Sequence, residues 1–585
     1  MLTIIFSILT VRIICVRDSS VYPTGLLFAR RGVEADSSVS LFARYALTLF
    51  CLLFAFLSKA NLVKTVSPEG VNRLAVKPVD RKTHPEYTLA TTYEYNSLGQ
   101  KVSETSPDAK TTRYIYNDKG QLRFSQNAKQ LLDEEYSYVK YDDLGRITET
   151  GLTKLEAPKS EDGMPPAFPD LDFNMLKSSL YINANSSGAM YPYTGGTEKI
   201  VTVYDTPDNT IQYPGGKKQE FLRNRVSQAI AYDKNGEVNK TWYSYDAHGN
   251  VKWLAQKAGT LPANYIGYEY DLISNKVTKV KYNENFFHRY SYDEDNRITK
   301  VETSVGGNLW DRDAEYTYYP HGPLKRVVIG EDWIQGMDYT YTINGWVKAI
   351  NSPNLIASED PFRDGTTGSE VAADEFSEVL GYHENDFTRT GPLLANASNK
   401  YHLSTTRNLY NGNISTITSK IGSSSSDIYP GTLTGNSYTY DRLNRITASD
   451  LSVFNSNTNA FGATQNYSER FKYDGNGNID IVKRNANPSV IEGNTNPEMD
   501  DLGYDYYPNT NKLKRINERT TSALNDKLQD LTQQVDDNYV YDEAGYLKED
   551  KAENLKFVWT FHGKISEIFP ISSTGRSKAT HQIYI

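Results

Sequence analysis

One stretch of sequence decides the fold, and it is YSYDEDNRI at residues 290–298. Its two tyrosines stand two positions apart, so they point to the same face of a β-strand. Asp293 can bond its side chain to the backbone two residues on, which starts a turn. Asn296 belongs to the few residue types that tolerate a left-handed backbone conformation. Ile298 restores an apolar position, so the stretch predicts a strand, a tight turn and a second strand.

The same pattern, Tyr-x-Tyr-(Asp/Asn)-x-x-(Gly/Asn), returns along most of the chain. Five successive copies place their second tyrosine 25, 22, 26 and 23 residues apart. That period holds one β-hairpin and its return, and it leaves no room for a separate domain between copies. A single hairpin is marginally stable, so neighbouring hairpins are expected to pair edge to edge. The repeat anchors predicted from the pattern are Tyr95, Gly99, Tyr116, Gly120, Tyr141, Asp142, Gly145, Tyr232, Asp233, Gly236, Tyr245, Asp246, Gly249, Tyr270, Asp271, Tyr292, Asp293, Asn296, Tyr341, Gly345, Tyr440, Asp441, Tyr473, Asp474, Gly477, Tyr541, Asp542 and Gly545.

The fourth residue after each anchor tyrosine indicates the geometry of the turn. With Tyr318 added, twelve anchor tyrosines can be compared, and this residue is Gly in nine, Asn in two and Ser274 in one. Glycine, and less easily asparagine, adopts a positive φ at low cost. The position is therefore predicted to be left-handed in every copy.

Composition favours a large β-surface over a compact enzyme core. The chain of 585 residues has 44 Tyr but only 21 Phe and 6 Trp. Tyrosine suits a β-surface that is apolar along the ring and wet at the hydroxyl. The 63 basic and 72 acidic residues give a net charge of −9, which argues against a nucleic-acid-binding surface. The two cysteines, Cys15 and Cys51, leave the rest of the chain without disulfides.

These copies resemble the YD repeats of RHS and teneurin-type proteins. The resemblance rests on residues 141–147, 292–298, 335–346 and 473–479, and it covers roughly residues 62–585. The run of copies through longer insertions is similar to RHS arrays of Bacteroidetes. The resemblance implies an all-β fold, in which antiparallel hairpins wind into a spiralling sheet that forms a partial hollow shell or barrel. In that family the shell commonly encloses a variable C-terminal toxin, which a core motif cuts off.

The resemblance implies a non-catalytic shell that encapsulates or presents a passenger toxin or effector. The alternative is a cell-surface adhesion or carbohydrate-binding array whose partners are surface glycans. Asp360-Pro361 lies within the array without the context of the family's self-cleaving core, and residues 581–585 resemble the first strand of another unit. The sequence therefore predicts a truncated array that lacks core and toxin. The implied location is secreted or at the cell surface.

The predicted organisation alternates repeats with insertions. Apolar runs at residues 1–16 and 45–57 are too short for a membrane-spanning helix. The second run has the proportions of a signal-peptide core, but its position is wrong. It is either a mis-assigned start or an export or anchor segment in contact with a membrane or the export machinery. The predicted segments are 1–61 atypical N-terminal segment, 62–151 YD repeats, 152–200 insertion, 201–350 YD repeats, 351–400 insertion and loops, and 401–585 YD repeats.

No catalytic, cofactor or metal site is predicted. Residues 474–478 resemble a calcium loop, but Asn485 stands where its twelfth-position glutamate is required. His383 begins a zinc-protease-like motif whose second histidine is replaced by Phe387. Residues 214–217 lack the earlier glycine and the following Ser or Thr of a phosphate loop. A short packing helix is expected within residues 523–535. The sequence thus predicts a structural protein and not an enzyme.

Overall fold

The computed structural model describes most of the repeat region. The described residues are 61–71, 87–154, 192, 196–234, 236–387, 407–422, 431–487, 496–520 and 534–571. The predicted N-terminal apolar runs, nearly all of the predicted helix near residue 523 and the predicted final strand lie outside these residues. Within the described part, no helix combines the length and apolar character needed to cross a membrane.

Regular structure in the described chain is almost entirely β-strand, in 32 strands numbered in chain order. The first sixteen are β1 (Lys64–Val66), β2 (Ala90–Tyr95), β3 (Lys101–Ser106), β4 (Lys110–Tyr116), β5 (Leu122–Gln126), β6 (Glu135–Tyr141), β7 (Ile147–Lys154), β8 (Thr197–Tyr204), β9 (Val226–Asp233), β10 (Gly236–Tyr245), β11 (Val251–Ala258), β12 (Asn264–Tyr270), β13 (Val277–Tyr282), β14 (Phe286–Tyr292), β15 (Ile298–Val305) and β16 (Asp311–Tyr318). The others are β17 (Leu324–Ile329), β18 (Gln335–Tyr341), β19 (Val347–Ile350), β20 (Phe376–Gly381), β21 (Thr416–Ile421), β22 (Thr434–Tyr440), β23 (Ile446–Asn455), β24 (Ala460–Ala463), β25 (Glu469–Tyr473), β26 (Ile479–Asn485), β27 (Glu498–Tyr506), β28 (Leu513–Glu518), β29 (Tyr539–Tyr541), β30 (Leu547–Asp550), β31 (Leu555–Trp559) and β32 (Ile565–Pro570). A 3-10 helix covers Pro68–Gly70, and a five-residue α-helix covers Ala128–Leu132.

Strands β1 to β28 form one antiparallel sheet of 28 strands. Each strand pairs with its neighbours along the chain, as in β2 with β3, β3 with β4 and β14 with β15. Strand β23 departs from this order, because it pairs with β25 as well as with its chain neighbours β22 and β24. Strands β29 to β32 form a second sheet of four. The prediction of an all-β fold built from consecutive antiparallel hairpins is confirmed, and the long sheet is not closed on itself.

Successive hairpins give the sheet two edges with different connections. The first, named here the Tyr-Asp edge, carries the connections that follow β2, β4, β6 and every second strand up to β22, then β25, β27, β29 and β31; they are tight turns except after β8 and β20, where the connection is longer. The second, named here the return edge, carries the other connections, including those after β1, β3 and β7. The repeat motif predicted from sequence therefore lies along one edge of the sheet.

The two edges meet at a contact named here the seam. Glu69, in the connection after β1, accepts the backbone N–H of Gly475 at 2.6 Å and donates its own N–H to Asn476 at 2.9 Å. Asp108, in the turn after β3, accepts two hydrogen bonds from Asn511, at 2.7 and 2.9 Å. Residues about 400 positions apart are thus adjacent, and the Tyr-Asp edge of the later strands sits on the return edge of the earlier ones.

The seam continues beyond these two turns. Lys110 forms an ion pair with Glu543, in the Tyr-Asp turn after β29. Glu198, at the start of β8, accepts the backbone N–H of Phe561 at 3.4 Å. Each of these contacts again joins a later Tyr-Asp turn to an earlier return-edge residue. The second sheet therefore extends the same winding contact as the 28-stranded sheet.

Hydrophobic burial is local, because a single-layer sheet has no second layer to cover its faces. One buried hydrophobic cluster forms where the long connection after β8 folds over β10 and β11. It contains Ile211, Tyr213, Trp242, Trp253 and Ala255. Trp253 is only 2% exposed, which shows that a loop can supply the covering layer. A smaller cluster joins Val482, Leu502 and Ile516 on β26, β27 and β28.

The structure places strands inside two of the predicted insertions. The insertion predicted at 152–200 begins within β7 and contains the start of β8. The region predicted as insertion and loops at 351–400 contains β20, whose residues pair with both β19 and β21. Neither β7 nor β20 ends in a tyrosine followed by Asp or Asn, so the repeat pattern did not mark them.

Candidate functional site

The Tyr-Asp turns form the repeated structural unit of the wall. After β14, the Asp293 carboxylate accepts two backbone N–H groups, the second from Arg297 at 2.9 Å, and also Arg297 Nε at 2.8 Å. The Asn296 N–H bonds the Asp293 carbonyl oxygen at 3.0 Å and closes the turn. The same bonds recur at Asp142 and Asp441. One carboxylate therefore satisfies most of the donors that a tight turn leaves free.

A left-handed residue occupies the predicted position in eleven of the twelve turns. Gly145 has φ 80° and Asn444 has φ 63°. The exception is the turn after β12, where the left-handed residue is Asn275 (φ 55°) and the Asp271 N–H bonds the Lys276 carbonyl oxygen at 2.8 Å. That turn is one residue longer, so the assignment of Ser274 to the left-handed position was wrong. The eleven residues are Gly99, Gly120, Gly145, Gly236, Gly249, Asn296, Gly322, Gly345, Asn444, Gly477 and Gly545.

The anchor tyrosines join each unit to the unit before it. Their hydroxyls donate to backbone carbonyl oxygens at 2.7–2.9 Å, and most acceptors begin the strand that leaves the preceding Tyr-Asp turn. The tyrosine-rich composition predicts hydroxyls in contact with water, but the neighbouring strand supplies an acceptor instead. The pairs are Tyr95–Leu62, Tyr116–Lys101, Tyr141–Leu122, Tyr245–Val226, Tyr270–Val251, Tyr292–Val277, Tyr318–Ile298 and Tyr440–Ile414.

Arginines that follow the left-handed residue join each unit to the next one. The Arg297 guanidinium lies 4.5 Å over the Tyr318 ring and donates to the Gly322 carbonyl oxygen at 3.3 Å. Arg445 lies 4.7 Å over the Tyr473 ring in the same way. A cation over an aromatic face is attracted by the ring quadrupole. The sequence motif contained these arginines, but their role depends on a neighbour that the motif does not include.

One predicted anchor lies at the wrong edge. Tyr232, Asp233 and Gly236 belong to the turn between β9 and β10, where Asp233 pairs with Gly236 at the return edge. The Tyr-Asp turn of this region follows β8 instead, where the Asp205 N–H bonds the Arg225 carbonyl oxygen at 3.2 Å. A long loop separates those two residues, so this turn does not match the spacing of the repeat motif and was not predicted. The other predicted anchors end a strand or lie in a turn at the Tyr-Asp edge.

The structure also contains a unit that the tyrosine pattern missed. Trp559 ends β31 and donates its Nε1–H to the Leu547 carbonyl oxygen at 2.6 Å, as an anchor tyrosine does. Thr560 takes the place of the aspartate and accepts the Lys564 N–H at 3.2 Å. Gly563 is left-handed, with φ 73°. An aromatic residue followed four positions later by glycine was the available signal.

An acidic cluster lies at the return edge, between the sheet and the β19–β20 connection. Asp338 is on β18, while Asp360 and Asp364 are in the connection, and oxygens of the three carboxylates lie within 4.8 Å of one another. Arg326 on β17 donates to both oxygens of Asp338 and of Asp364, at 2.7–2.9 Å. Asp374 lies beside Asp360 at the end of the connection. The repeat pattern gave no signal for this cluster, because its residues come from three separate segments.

Burial dominates the electrostatics of this cluster. It raises the pKa of Asp338 to about 7, against the attraction of the Arg326 guanidinium. Burial also raises the pKa of Asp364, and burial together with the Asp360 carboxylate raises the pKa of Asp374. Four carboxyl groups therefore lie near one guanidinium, which bonds two of them, in a region largely shielded from water.

A shallow groove of about 400 Å³ lies at the Tyr-Asp edge between the turns after β10 and β12. The Tyr268 and Tyr270 rings stack there with centroids 6.3 Å apart, beside Glu269 and Asp271. The pKa of the Asp271 carboxyl is lowered by hydrogen bonds from the backbone N–H and the hydroxyl of Ser274. The groove thus combines aromatic faces with an ionised carboxylate.

This architecture is that of an RHS-like β-sheet, and comparison with solved structures agrees. Two crystal structures of TcdB2-TccC3, an RHS-repeat toxin complex, superpose on the chain with a TM-score of 0.50 at 12% identity. One is TcdB2-TccC3 without its hypervariable C-terminal region, and the match covers 83% of this chain and 19% of that chain. The other is TcdB2-TccC3-TEV, with 84% and 19% covered.

The likeness at this identity shows the fold alone. The chain spans about a fifth of the length of the solved chains, since 19% of each is covered. No protein-family model matches the sequence, and no curated protein matches it.

Proposed function

We propose that this chain is a section of an RHS-type shell wall, which encloses or presents a passenger polypeptide and has no catalytic role. The seam is the observation that carries this proposal. The sheet returns to its own edge after about 400 residues, through contacts such as Asp108 with Asn511. A sheet that winds back in this way bounds an interior space. A passenger placed in that space is separated from proteases and partners outside.

The proposed passenger has a variable sequence, by analogy with a structure of the same fold. TcdB2-TccC3 is described as having a hypervariable C-terminal region. By analogy of fold, the proposed passenger is a toxin or effector domain that accompanies the array. The wall itself contributes shape and rigidity through the repeated Tyr-Asp turns. The proposed location is outside the cell or at its surface, where such a passenger acts.

Protease protection tests the enclosure. The full chain is extended at its C-terminus by an unstructured peptide that carries a site-specific protease sequence, and cleavage is followed over time. Because cleavage requires the open state, an enclosed peptide is expected to be cut at least about ten-fold more slowly than the same peptide on an unrelated carrier. The double variant E69A/D108A, which removes carboxylates of the seam, is expected to restore fast cleavage. Equal rates on the intact array and on the carrier would contradict the proposal.

A second candidate is glycan adhesion, and the groove beside Tyr268 favours it. Stacked aromatic rings next to carboxylates suit the apolar faces and hydroxyls of a sugar. If the groove binds glycans, the intact chain is expected to bind on a glycan array, and Tyr268→Ala is expected to abolish that binding. Tyr282→Ala, which alters a tyrosine 42% exposed at the return edge, is the matched control. Absence of glycan binding by the intact chain would remove this candidate.

A further inference from the structure

The acidic cluster brings together more carboxyl groups than the one basic side chain bonded to it can pair. Asp338, Asp360 and Asp364 are 1%, 0% and 2% exposed. Arg326 is the basic group that bonds them, and both of its terminal nitrogens are used, one by Asp338 and the other by Asp364. Burying ionised carboxylates is costly unless each is paired and hydrogen-bonded. One guanidinium offsets one charge, so three buried carboxylates with Asp374 beside them need a further cation whenever they are ionised together.

Asp360 is the carboxyl group of the three whose hydrogen bonding is least complete. Its Oδ2 accepts the backbone N–H groups of Phe362 at 2.9 Å and Asp364 at 3.2 Å. Its Oδ1 is buried and accepts no hydrogen bond from an N–H or hydroxyl group of the described residues, and the Asp374 carboxyl lies against the same side chain. A fully buried oxygen of this kind requires a partner, since leaving a charged acceptor unsatisfied costs several times the value of a neutral hydrogen bond.

The sheet and the connection are shaped to hold these carboxylates together. Gly336 lies under the cluster, and a Cβ atom at this position would come within 2.0 Å of Asp364 Oδ2 and 2.7 Å of an Arg326 nitrogen. The Phe362 ring covers Arg326 at 4.3 Å. Asn351, itself buried, bonds the Asp338 N–H at 2.7 Å and fixes the start of the connection. The convergence of carboxylates is therefore built into the backbone as well as the side chains.

We propose that Asp338, Asp360 and Asp364 bind a hard divalent cation of the Ca²⁺ or Mg²⁺ class. Carboxylate oxygens are the donors that such ions prefer. Two ligands of Ca²⁺, each about 2.3–2.6 Å from the ion, lie at most roughly 5 Å apart. The 4.8 Å limit on the three oxygens of the cluster meets this requirement. The ion completes the coordination of Asp360 Oδ1 and offsets the excess charge.

The cation has a defined structural consequence. Asp338 belongs to the sheet, whereas Asp360 and Asp364 belong to the connection between β19 and β20. One ion held by all three clamps that connection to the return edge. Residues 356–374 are therefore expected to become more ordered when the ion binds.

Calorimetric titration of the chelator-treated full chain with CaCl₂ alone, and separately with MgCl₂ alone, tests the proposal. One saturable site is expected for at least one ion. Asp360→Asn is expected to weaken that site at least about ten-fold, because ligand charge sets the affinity of such sites. Asp332→Asn, which changes an exposed carboxylate on the neighbouring turn, is expected to leave it unchanged. No saturable heat with either ion, or equal affinity in Asp360→Asn, would overturn the proposal.

Hydrogen exchange of the unmodified chain keeps the test decisive if Asp360→Asn does not fold. Saturating Ca²⁺ or Mg²⁺ is expected to slow exchange within residues 356–374 and to leave residues 141–147, in a distant Tyr-Asp turn, unaffected. Exchange that is unchanged in both segments means that protons, not a metal, neutralise the carboxyl groups, and this result also overturns the proposal.

Discussion

At the scale of single residues, the anchor tyrosine has two separate tasks. Its ring packs against the sheet, and its hydroxyl donates to a carbonyl oxygen of the preceding unit, as Tyr292 does to Val277 at 2.7 Å. Because side chains alternate between the two faces of a strand, the sequence predicts the face on which the ring lies. The acceptor was not predictable, because it belongs to another hairpin whose register depends on the turns between them. The excess of tyrosine over phenylalanine follows from the second task.

Tyr292→Phe tests that task directly. Loss of the hydroxyl leaves the Val277 carbonyl oxygen without this donor, so the local opening free energy of β14 is expected to fall by about 0.5–1.5 kcal/mol. Hydrogen exchange of the β14 amides measures the change. Tyr282→Phe, at an exposed tyrosine on the return edge, is the matched control and should alter exchange little. Equal effects of the two substitutions would mean that the hydroxyl bond has no special role.

Gly345 is the best position at which to test the left-handed turn residue. Its φ is 81°, and an added Cβ would meet nothing within 4 Å. At Gly145 and Gly249 a Cβ would also contact the Gln121 and Arg225 side chains, at 2.9 and 2.8 Å. Substitution there combines backbone strain with crowding.

Gly345→Val is expected to destabilise the hairpin of β18 and β19 by about 1–2 kcal/mol, because a left-handed conformation brings Cβ too close to the carbonyl oxygen. Gly345→Asn is expected to cost less, since asparagine tolerates this region. Gly462→Ala is the control, because an added Cβ at this strand glycine would make only an ordinary contact with the Val453 carbonyl oxygen at 3.8 Å. Thermal melting of the three variants measures their order of stability. A Gly345→Val variant as stable as the wild type would contradict the turn assignment.

At the scale of the hairpin, the Tyr-Asp turn is stabilised by an ionised carboxylate. The backbone N–H of Arg297 and its side chain lower the pKa of Asp293, and backbone and hydroxyl groups of Ser274 lower that of Asp271. A carboxyl whose pKa is lower in the folded chain stabilises the fold above its unfolded value of about 3.9, and this stabilisation is lost as pH falls through the folded pKa.

The melting temperature is therefore expected to decline as pH falls from about 4 to about 2, because the turn carboxylates become protonated together. Asp293→Asn removes one titrating group and keeps one side-chain oxygen acceptor. Its melting temperature should therefore decline less steeply with falling pH than that of the wild type. Asp143→Asn, at an exposed position in a similar turn, is the control. Circular dichroism melts across this pH range give the result, and identical slopes for all three proteins would exclude the proposed contribution.

The sequence predicted what is local to a hairpin and little else. The turns after β4, β14 and β22 were predictable, since strand, turn and return lie within one short segment. The turn after β8 was not, because a long loop separates Asp205 from Arg225. The acidic cluster was missed for the same reason, since the carboxylates that meet Arg326 stand 12 and 38 residues away. Ser274 misled the prediction because one extra residue shifted the left-handed position to Asn275.

At the scale of the whole molecule, the seam joins parts of the chain that no strand pairing connects. Asp108 accepts two hydrogen bonds from Asn511, and Lys110 pairs with Glu543 one turn further on. Nothing in the repeat pattern predicts these contacts. They depend on how far the sheet twists and curls over some two dozen strands, which is a sum of many small angles.

Asp108→Ala is expected to loosen the seam without unfolding the hairpins. Removal of hydrogen bonds to a charged group costs about 1.5–3 kcal/mol, so the Asn511 amide should exchange at least about ten-fold faster. The amides of β14, far from the seam, should be unaffected. Asp143→Ala, which removes an exposed carboxylate elsewhere, is the control. Unchanged exchange at Asn511 would show that this contact does not hold the seam.

The separation between seam partners also sets an order of events during synthesis. The strand pairings in the described sheet join strands that lie next to each other or, for β23 and β25, one strand apart in the sequence, so they can form during synthesis. Asp108, by contrast, must await Asn511, 403 residues later. At about 5–20 residues per second, that delay is roughly 20–80 s. During this interval the seam groups of the early return edge, among them Glu69 and Asp108, lack their native partners and are open to other chains. A nascent array therefore has a long period of vulnerability to mispairing, and it ends only when the winding meets itself.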